Sequence, residues 1–254
     1  MKKIFYKIKN KKFQENKRIV LISDLHDNHW ESLAAEVASL NPDIIAVPGD
    51  LTSRLDLLEG EYAKTDKKTA THAAAFALLA QFSAIAPTFY SIGNHELCGH
   101  YYKKNFGLSI HPENSALIEK SGAVLLDNRF VCINGINIGG LTSGMTNEDL
   151  VPHLEWMDEP RNTEAPTVLL CHHPEYYEKY LKGRGFDVVL SGHAHGGQIR
   201  IFGRGLYAPG QGILPRRAGG LYENCLAVGR GLANTAFVPR FFNPKEIVVV
   251  DVIA

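Results

Sequence analysis

Metal-binding and proton-transferring side chains follow five apolar runs of this sequence, each at the point where the run ends. The side chains are aspartate, asparagine and histidine, which offer oxygen and nitrogen donors and no thiolate. Donors of this kind suit a hard or borderline divalent metal such as Mn, Fe, Zn, Co or Ni. In chain order, the motifs are DLH at residues 24–26, GD at 49–50, GNHE at 93–96, CHHPE at 171–175 and GHAH at 192–195.

The segment SGHAHGGQ, residues 191–198, illustrates why such a motif suits a metal. Side chains two residues apart in an extended chain point to the same side, so His193 and His195 can converge on one object. Glycine precedes the first histidine and follows the second. Glycine is common where the backbone turns sharply or approaches another group closely. The segment therefore predicts a ligand loop at the end of a strand.

Each motif by itself also has an ordinary structural explanation. A lone histidine is more often packed or hydrogen-bonded than metal-bound, and Asp50 after Gly49 could belong to a turn. All five motifs together, each at a strand end, are difficult to explain in that way, so we predict a metal centre. The motifs supply more donors than a single ion needs. Two ions that share a carboxylate are the simplest arrangement.

The apolar runs that carry these motifs alternate with helical patterns from Arg18 onward. The spacing is typical of βαβ units in a buried parallel sheet, where ligands bind beyond the carboxyl ends of the strands. The middle differs, since residues 123–142 contain short runs separated by Asn128 and by the hairpin signal Asn134-Gly135. We predict one α/β domain over residues 1–254, with two packed sheets flanked by helices. Helices are predicted at residues 31–40, 72–85 and 147–157.

Composition and cysteine usage favour a cytoplasmic protein. The 254 residues are 45% hydrophobic, which is ample for a sizeable core. The sequence contains no run of about 18 apolar residues, so no membrane-spanning helix is predicted. The basic start MKKIFYKIKNKK is not followed by the apolar region and cleavage site of a secretory signal. The four cysteines are far apart, which predicts reduced thiols.

The net charge of zero conceals a strongly basic N-terminus, since residues 1–18 carry eight Lys or Arg side chains and one acidic side chain. We favour a lysine-rich edge hairpin, because IFYKIKNKKFQ alternates apolar and basic residues around Asn10. The alternative is peripheral contact of residues 1–18 with the inner face of the membrane, where each basic residue contributes about 1 kcal/mol. A nucleic-acid substrate is disfavoured, because the chain lacks an overall basic footprint.

The complete set of motifs resembles the signature of the calcineurin-like metallophosphoesterases. That signature is D-x-H, then G-D, then G-N-H-[DE], then H, then G-H-x-H, and the resemblance covers nearly the whole chain. The C-terminal part, from GHAHGGQIRIFGRGLYAPGQGILP to FNPKEI, is similar to a bacterial branch of phosphohydrolases. Some relatives of that branch hydrolyse UDP-diacylglucosamine or are attached to membranes. The resemblance implies a four-layer α/β/β/α sandwich of two mixed sheets flanked by helices.

The resemblance also implies a role for each matching residue. Asp50 would bridge two divalent ions. His172 is chosen over His173 because the family's ligand lies two residues before proline, and Cys171 would then point into the packed face. One ion would be held by Asp24, His26 and His195, and the other by Asn94, His172 and His193.

The function that the resemblance implies is phosphoester hydrolysis, with a phosphodiester as the favoured substrate. Two ions about 3.5–4 Å apart can hold a phosphate oxygen and lower the pKa of a bridging water, whose hydroxide would attack phosphorus in line. His95 is predicted to be the catalytic general acid or a phosphate contact, oriented by Glu96. Ser53 stands where phosphoprotein phosphatases have an aspartate that orients this histidine, which argues against that branch.

Several alternatives stay open. The substrate is expected to be a small-molecule or lipid phosphoester, and the enzyme could be a phosphomonoesterase, a membrane-docked lipid phosphoester hydrolase or a nuclease. A non-catalytic scaffold of the same fold is disfavoured because every ligand position and His95 are present. The sequence identifies neither the substrate nor the oligomeric state. Candidate substrate contacts are Arg54, His100, Tyr101 and Arg230, and the histidines expected to be surface or packing residues are His29, His72, His100, His111, His153 and His173.

Overall fold

The computed structural model describes residues 1–28, 30–53, 66–96, 112–144, 152–234 and 239–254. The described residues form two mixed six-stranded sheets. In the first sheet the strands lie in the order β1-β16-β2-β3-β4-β5. Its strands are β1 (Lys2–Lys9), β2 (Lys17–Leu21), β3 (Ile44–Val47), β4 (Thr88–Ser91), β5 (Val124–Leu126) and β16 (Glu246–Ile253).

The second sheet has the strand order β14-β15-β9-β8-β7-β6. Its strands are β6 (Arg129–Ile133), β7 (Ile136–Leu141), β8 (Thr167–Cys171), β9 (Val188–Ser191), β14 (Gly220–Tyr222) and β15 (Leu226–Val228). Two short hairpins follow β9 in the chain and lie outside both large sheets. They are formed by β10 (Arg200–Ile201) with β11 (Arg204–Gly205), and by β12 (Tyr207–Ala208) with β13 (Gly212–Ile213).

Parallel pairing brings the carboxyl ends of the motif-bearing strands to a common edge in each sheet. In the first sheet, β2, β3 and β4 are mutually parallel neighbours. In the second sheet, β8 and β9 are parallel neighbours. Because parallel strands end at the same side, the loops after them lie close together. The predicted strands that carry all five motifs are therefore confirmed.

An apolar core fills the space between the two sheets and fixes their distance. It contains Ile19 and Phe89 from the first sheet, and Val168 and Leu170 from the second, all fully buried. Side chains alternate along a strand, so the opposite faces of both sheets also need cover. The continuous apolar runs of the sequence follow from burial on both faces.

Helices cover the outer face of the first sheet, and shorter helical segments cover that of the second. Leu33, Leu79 and Phe82 pack against Ile45 in the first outer layer, and Trp156 and Tyr177 pack against Leu169 in the second. The predicted four-layer sandwich is confirmed, although the second outer layer of the described residues is thin. The helices are α1 (Leu33–Ala38), α2 (Asp66–Ile85) and α3 (Pro112–Lys120), with a 3₁₀ segment at Glu155–Asp158 and a π segment at Tyr177–Leu181.

The local predictions differ in outcome. The hairpin at Asn134-Gly135 is confirmed, because β6 and β7 are antiparallel and both turn residues have positive φ, at 50° and 74°. Of the predicted helix at 147–157, the described residues 152–157 contain only part of the 3₁₀ segment, and residues 147–151 lie outside the described residues.

The predicted N-terminal hairpin around Asn10 is wrong. β1 is a single edge strand that runs parallel to β16, with Lys2 opposite Glu246 and Lys9 opposite Ile253. A turn follows at Asn10, whose side-chain oxygen accepts a hydrogen bond from the Lys12 N–H at 2.9 Å. Phe13 is then buried in the core between the sheets. Burial of this side chain outweighs pairing of residues 11–14 with β1, and alternation alone could not reveal it.

The predictions about thiols and membrane spans are tested in the described ranges. Cys132, Cys171 and Cys225 are free thiols, and Cys171 lies in the outer core of the second sheet, as expected. Cys98 is outside the described residues. None of the described helices has both the length and the apolar character needed to cross a bilayer.

The core between the sheets provides a stability prediction. Phe89→Ala removes a fully buried ring and should lower the free energy of unfolding by about 3–5 kcal/mol, because a cavity remains between the sheets. The matched control is Phe5→Ala on edge strand β1, where the ring is half exposed, and a change within about 0.5 kcal/mol is expected. Urea unfolding followed by circular dichroism measures both; equal losses would contradict this account of the core.

Candidate metal centre

The loops after β2, β3, β4, β8 and β9 place the predicted ligands within one buried site. Five of these residues have a left-handed backbone, which is rare outside glycine and typically costs about 1–3 kcal/mol. Their side chains are therefore held at this site against a local conformational preference. The φ angles are 53° for Asp24, 48° for His26, 52° for Asp50, 64° for His193 and 44° for His195.

Asp24, His26 and His195 form one group of buried donors. Their potential ligand atoms lie within 4.8 Å of one another. The Nε2 atom of His195 is 3.6 Å from Oδ1 of Asp24, and the His26 and His195 rings stack at 5.3 Å between centroids. The same Asp24 oxygen accepts the backbone N–H of His193 at 2.9 Å, which joins the loops after β2 and β9.

Asp50 lies between histidines of the two sheets. Its Oδ2 atom is 3.0 Å from Nε2 of His172, which follows β8, and 3.7 Å from Nε2 of His26, which follows β2. Its other oxygen accepts the backbone N–H of His95 at 2.9 Å. The carboxylate can therefore reach donors of both predicted ligand sets at once.

His172, His193 and Asn94 supply the remaining predicted donors. The Nδ1 atom of His172 is 3.0 Å from the Pro48 carbonyl oxygen, so Nδ1–H donates to it and Nε2 is directed towards the site. The His172 and His193 rings are 5.0 Å apart between centroids. The side-chain oxygen of Asn94 is buried and has no hydrogen-bond partner in the structure.

Two of the predicted ligand histidines are neutral, as cation binding requires, whereas His172 is protonated beside Asp50. Burial lowers the pKa of His26 to about 3 and that of His193 well below its ordinary value, so both rings are neutral at physiological pH. Burial also opposes a charge on His172, but Asp50 outweighs it and raises the pKa of His172 to about 9. The charge of His172 in turn holds the pKa of Asp50 low despite burial.

The donor set fits a divalent metal on a second ground. Both ring nitrogens of His26, Nε2 of His193 and the Asn94 oxygen are buried without hydrogen-bond partners. Such atoms are costly in a folded protein unless a ligand satisfies them. Neutral imidazole, carboxylate and amide oxygen are suitable ligands for first-row divalent ions.

His95 is placed at the edge of the site. Its side chain is a quarter exposed, and its Nε2 atom lies 3.9 Å from Oδ2 of Asp50. Its ring meets that of His26 edge-on at 4.6 Å between centroids. His95 is thus next to the buried donors and also open to solvent. This position is compatible with contact to a substrate.

Glu96 does not orient His95 as the sequence predicted. Its buried carboxylate accepts backbone N–H hydrogen bonds from Asp50 at 2.9 Å, Gly93 at 2.8 Å and Thr52 at 3.2 Å. It therefore joins the loops after β3 and β4 and fixes the backbone of Asp50. The partners are backbone amides, two of them more than 40 residues away, so the motif GNHE gave no sign of this role.

The glycines and a distant asparagine hold the loop of His193 and His195 in place. A Cβ atom at Gly192 would lie 2.5 Å from Oδ2 of Asp24, so a side chain there would displace a predicted ligand. Asn243 donates hydrogen bonds from Nδ2 to the carbonyl oxygens of His195, at 2.6 Å, and Gln198, at 3.1 Å. Asn243 lies in the segment FNPKEI that carries the family resemblance, but the segment by itself does not indicate which loop this side chain contacts.

His173 is buried beside the predicted ligands, and its potential ligand atom lies within 4.8 Å of those of His172 and His193, so the choice of His172 over His173 stays a prediction. Its ring stacks on His193 at 4.0 Å between centroids, and its Nδ1 atom is 3.1 Å from a carboxylate oxygen of Glu175. It thereby supports a predicted ligand. His153 is exposed, as expected. The side chains of His29, Arg54, His72, His100, Tyr101 and His111 lie outside the described residues.

The contacts of Glu96 provide a second prediction. Glu96→Gln keeps the shape but brings an amide NH₂ towards backbone donors, so the free energy of unfolding should fall by about 1–3 kcal/mol. Mn²⁺ affinity should fall about tenfold, because the Asp50 backbone is no longer fixed. Glu119→Gln on the exposed surface of α3 is the control. Calorimetric Mn²⁺ titration and urea unfolding measure the effects; a variant like wild type in both would rule out the bracing role.

Comparison with known proteins identifies the family. The sequence profile described as calcineurin-like phosphoesterase matches residues 17–197, a range that contains every motif above. The chain is 30% identical over 248 residues to an uncharacterized metallophosphoesterase of Campylobacter jejuni, covering 92% of this chain and 58% of that protein.

Two further relatives carry names that state an activity. The UDP-2,3-diacylglucosamine pyrophosphatase LpxG of Chlamydia muridarum is 25% identical, with 91% of this chain and 82% of that protein covered. The phosphodiesterase YaeI of Escherichia coli is 27% identical, with coverages of 72% and 62%. The chain spans little more than half the length of the Campylobacter protein. With the profile matching most of its length and the motifs converging at one site, the chain belongs to the calcineurin-like phosphoesterase family, which comprises metal-dependent hydrolases of phosphoric esters.

Proposed function

We propose that this chain hydrolyses phosphodiesters with two divalent metal ions. The observation that carries the proposal is the position of Asp50, whose Oδ2 atom is within 4 Å of histidines from both sheets. One carboxylate between two groups of buried donors is the arrangement that a two-metal site requires. Mn, Fe, Zn, Co and Ni are all compatible with the nitrogen and oxygen donors.

The proposed ligands divide into two sets that share Asp50. Support for the first set comes from the 4.8 Å clustering of its donor atoms, and support for the second from the Nε2 orientation of His172 and the buried Asn94 oxygen. The first set is Asp24, His26 and His195, and the second is Asn94, His172 and His193.

Bound divalent ions would supply Lewis-acid activation of the phosphoryl group and of the attacking water. The protein's own contribution to leaving-group departure is assigned to His95. It is partly exposed beside Asp50, whereas the ligand histidines are buried. We propose that its ring donates a proton to the departing alkoxide, which would otherwise leave as a poorly stabilised anion.

The preference for a diester rests on relatives. One is named a phosphodiesterase and another a pyrophosphatase of UDP-2,3-diacylglucosamine. The second name also makes a lipid phosphoester a candidate substrate, with hydrolysis at the inner face of the membrane by a cytoplasmic protein. A phosphomonoesterase is the alternative that the activity test below distinguishes.

The function is tested first by Asp50→Asn. Hydrolysis of bis(p-nitrophenyl) phosphate and of p-nitrophenyl phosphate is measured with and without Mn²⁺. The wild type should prefer the diester and require the metal, and kcat/KM of the variant should fall by at least about 100-fold because the shared carboxylate is lost. The number of Mn²⁺ ions bound per chain, measured by inductively coupled plasma mass spectrometry, should fall as well.

The control for Asp50→Asn is Asp158→Asn, an exposed carboxylate paired with Arg184 at the surface, which should stay within about twofold of wild type. Monoester preference would replace the diester proposal with a phosphatase. Full activity of Asp50→Asn would contradict the site. A wild type that binds no metal and cleaves neither ester would favour the non-catalytic scaffold.

The role of His95 is tested by the leaving group. His95→Gln should lower kcat by about 10²–10³-fold for an alkyl phosphodiester, whose alkoxide needs a proton, and much less for a p-nitrophenyl ester, whose phenolate leaves unaided. Mn²⁺ content should not change. The exposed His153→Gln is the control. An equal loss with both leaving groups would mean that His95 contacts phosphate instead of donating a proton.

A further inference from the structure

A cluster of exposed apolar side chains lies on the two short hairpins after β9 and on the segment before β16. Phe202 is fully exposed at the tip of the β10–β11 hairpin, and Phe242 is 77% exposed. Phe241 contacts Phe242 with ring centroids 4.8 Å apart. We call this cluster the phenylalanine face; it comprises Ile201, Phe202, Leu214, Phe241 and Phe242.

The backbone of the phenylalanine face is strained in a way that folding does not explain. Phe202, Leu214 and Phe242 have positive φ angles of 48°, 53° and 52°. Bulky residues rarely adopt this conformation, and a two-residue hairpin turn ordinarily has Asn-Gly where this chain has Phe202-Gly203. None of the three side chains gains burial that would offset the strain. Strain kept without such a gain indicates a function for the exposed side chains.

Positive charge surrounds the phenylalanine face. A surface cavity of about 570 Å³ is lined by Phe202 and Phe242 together with Lys2, Arg200 and Arg230. A neighbouring cavity of about 360 Å³ is lined by Leu214, Arg204 and Arg216 among others. Among the described residues that line the two cavities, none is acidic. Among the described residues, Arg230 pairs with the carboxylate of buried Glu246. The other exposed or half-buried cations that line the two cavities form no ion pair within the described part of the chain.

The phenylalanine face is joined directly to the metal centre. Buried Arg200 donates hydrogen bonds to the carbonyl oxygens of Gly196, at 2.8 Å, and Gly203. It thus ties the Phe202 turn to the loop of His195. Asn243, next to Phe242, donates to the His195 carbonyl oxygen. A surface that binds the phenylalanine face would therefore be held in a fixed orientation relative to the metal site.

We infer that the phenylalanine face docks on an anionic lipid bilayer. Aromatic and aliphatic side chains on loop tips enter the boundary between headgroups and acyl chains, and surrounding cations attract anionic headgroups. Charge of a single sign favours an anionic lipid surface over a protein partner, whose interface would present both signs. The contact differs from the alternative considered for residues 1–18, since the described N-terminal segment contributes only Lys2 to these cavities.

Vesicle co-sedimentation tests the docking. Wild type should bind vesicles with about one quarter phosphatidylglycerol at least about tenfold more strongly than pure phosphatidylcholine vesicles, and high salt should weaken the binding. The double variant Phe202→Ser/Phe242→Ser should lose at least about tenfold in affinity for the anionic vesicles. Its hydrolysis of a soluble chromogenic ester without vesicles should equal that of wild type, which shows that it is folded and separates docking from the proposed function.

Two controls identify the surface. Leu117→Ser, an exposed apolar residue on α3, should bind as wild type. Lys7→Glu/Lys9→Glu reverses charge on edge strand β1 and should have a smaller effect than the phenylalanine pair. The proposal is overturned if wild type ignores anionic vesicles, if the phenylalanine variant binds normally, or if the β1 variant alone loses binding. A dimer in light scattering that Phe202→Ser/Phe242→Ser dissociates would overturn it in favour of a second copy of the chain.

Discussion

The position of the Asp50 carboxylate is the constraint on which the rest of the site depends. It has to lie within reach of His26 from one sheet and His172 from the other. The apolar core between the sheets sets that spacing, and the parallel strands deliver both histidines to the same edge. The backbone of Asp50 is fixed by Glu96, and its second oxygen by the His95 amide. Core packing and polar contacts thus serve one geometric requirement.

The same requirement buries several ionisable side chains close to one another, which is energetically unfavourable. Asp24, Asp50 and Glu96 are fully buried carboxylates, and His26 and His193 are neutral beside them. Buried carboxylates are stable only when paired or hydrogen-bonded. Hydrogen bonds to backbone amides satisfy Glu96 completely, whereas Asp24 keeps a buried oxygen without a hydrogen-bond partner. Asp24 and Asp50 bring more negative charge than protonated His172 offsets, and a divalent cation would balance the remainder.

The sequence predicts the parts of this design that are local. A buried run that ends in Asp, Asn or His marks both a strand and a ligand, so the sandwich and the residues gathered at its edge follow from the pattern. Contacts between distant backbone and side chains leave no such mark. Adjacency in the sequence suggests that Glu96 contacts His95, whereas its partners are distant backbone amides, and the motif FNPKEI does not indicate that Asn243 contacts the loop of His195. The alternation of β1 predicted a strand but not its partner β16, and the burial of Phe13 excluded the hairpin.

The placement of β16 has a consequence for how the chain folds. This strand is hydrogen-bonded to β1 on one side and to β2 on the other. Residues 246–253 therefore lie between two strands that are both formed by the first 21 residues. The first sheet cannot close until residues 246–253 have been synthesised, and such long-range pairing is slow to form. Until then β2, which leads into Asp24 and His26, has an open edge. Nascent chains would expose that edge to other strands until β16 pairs with it.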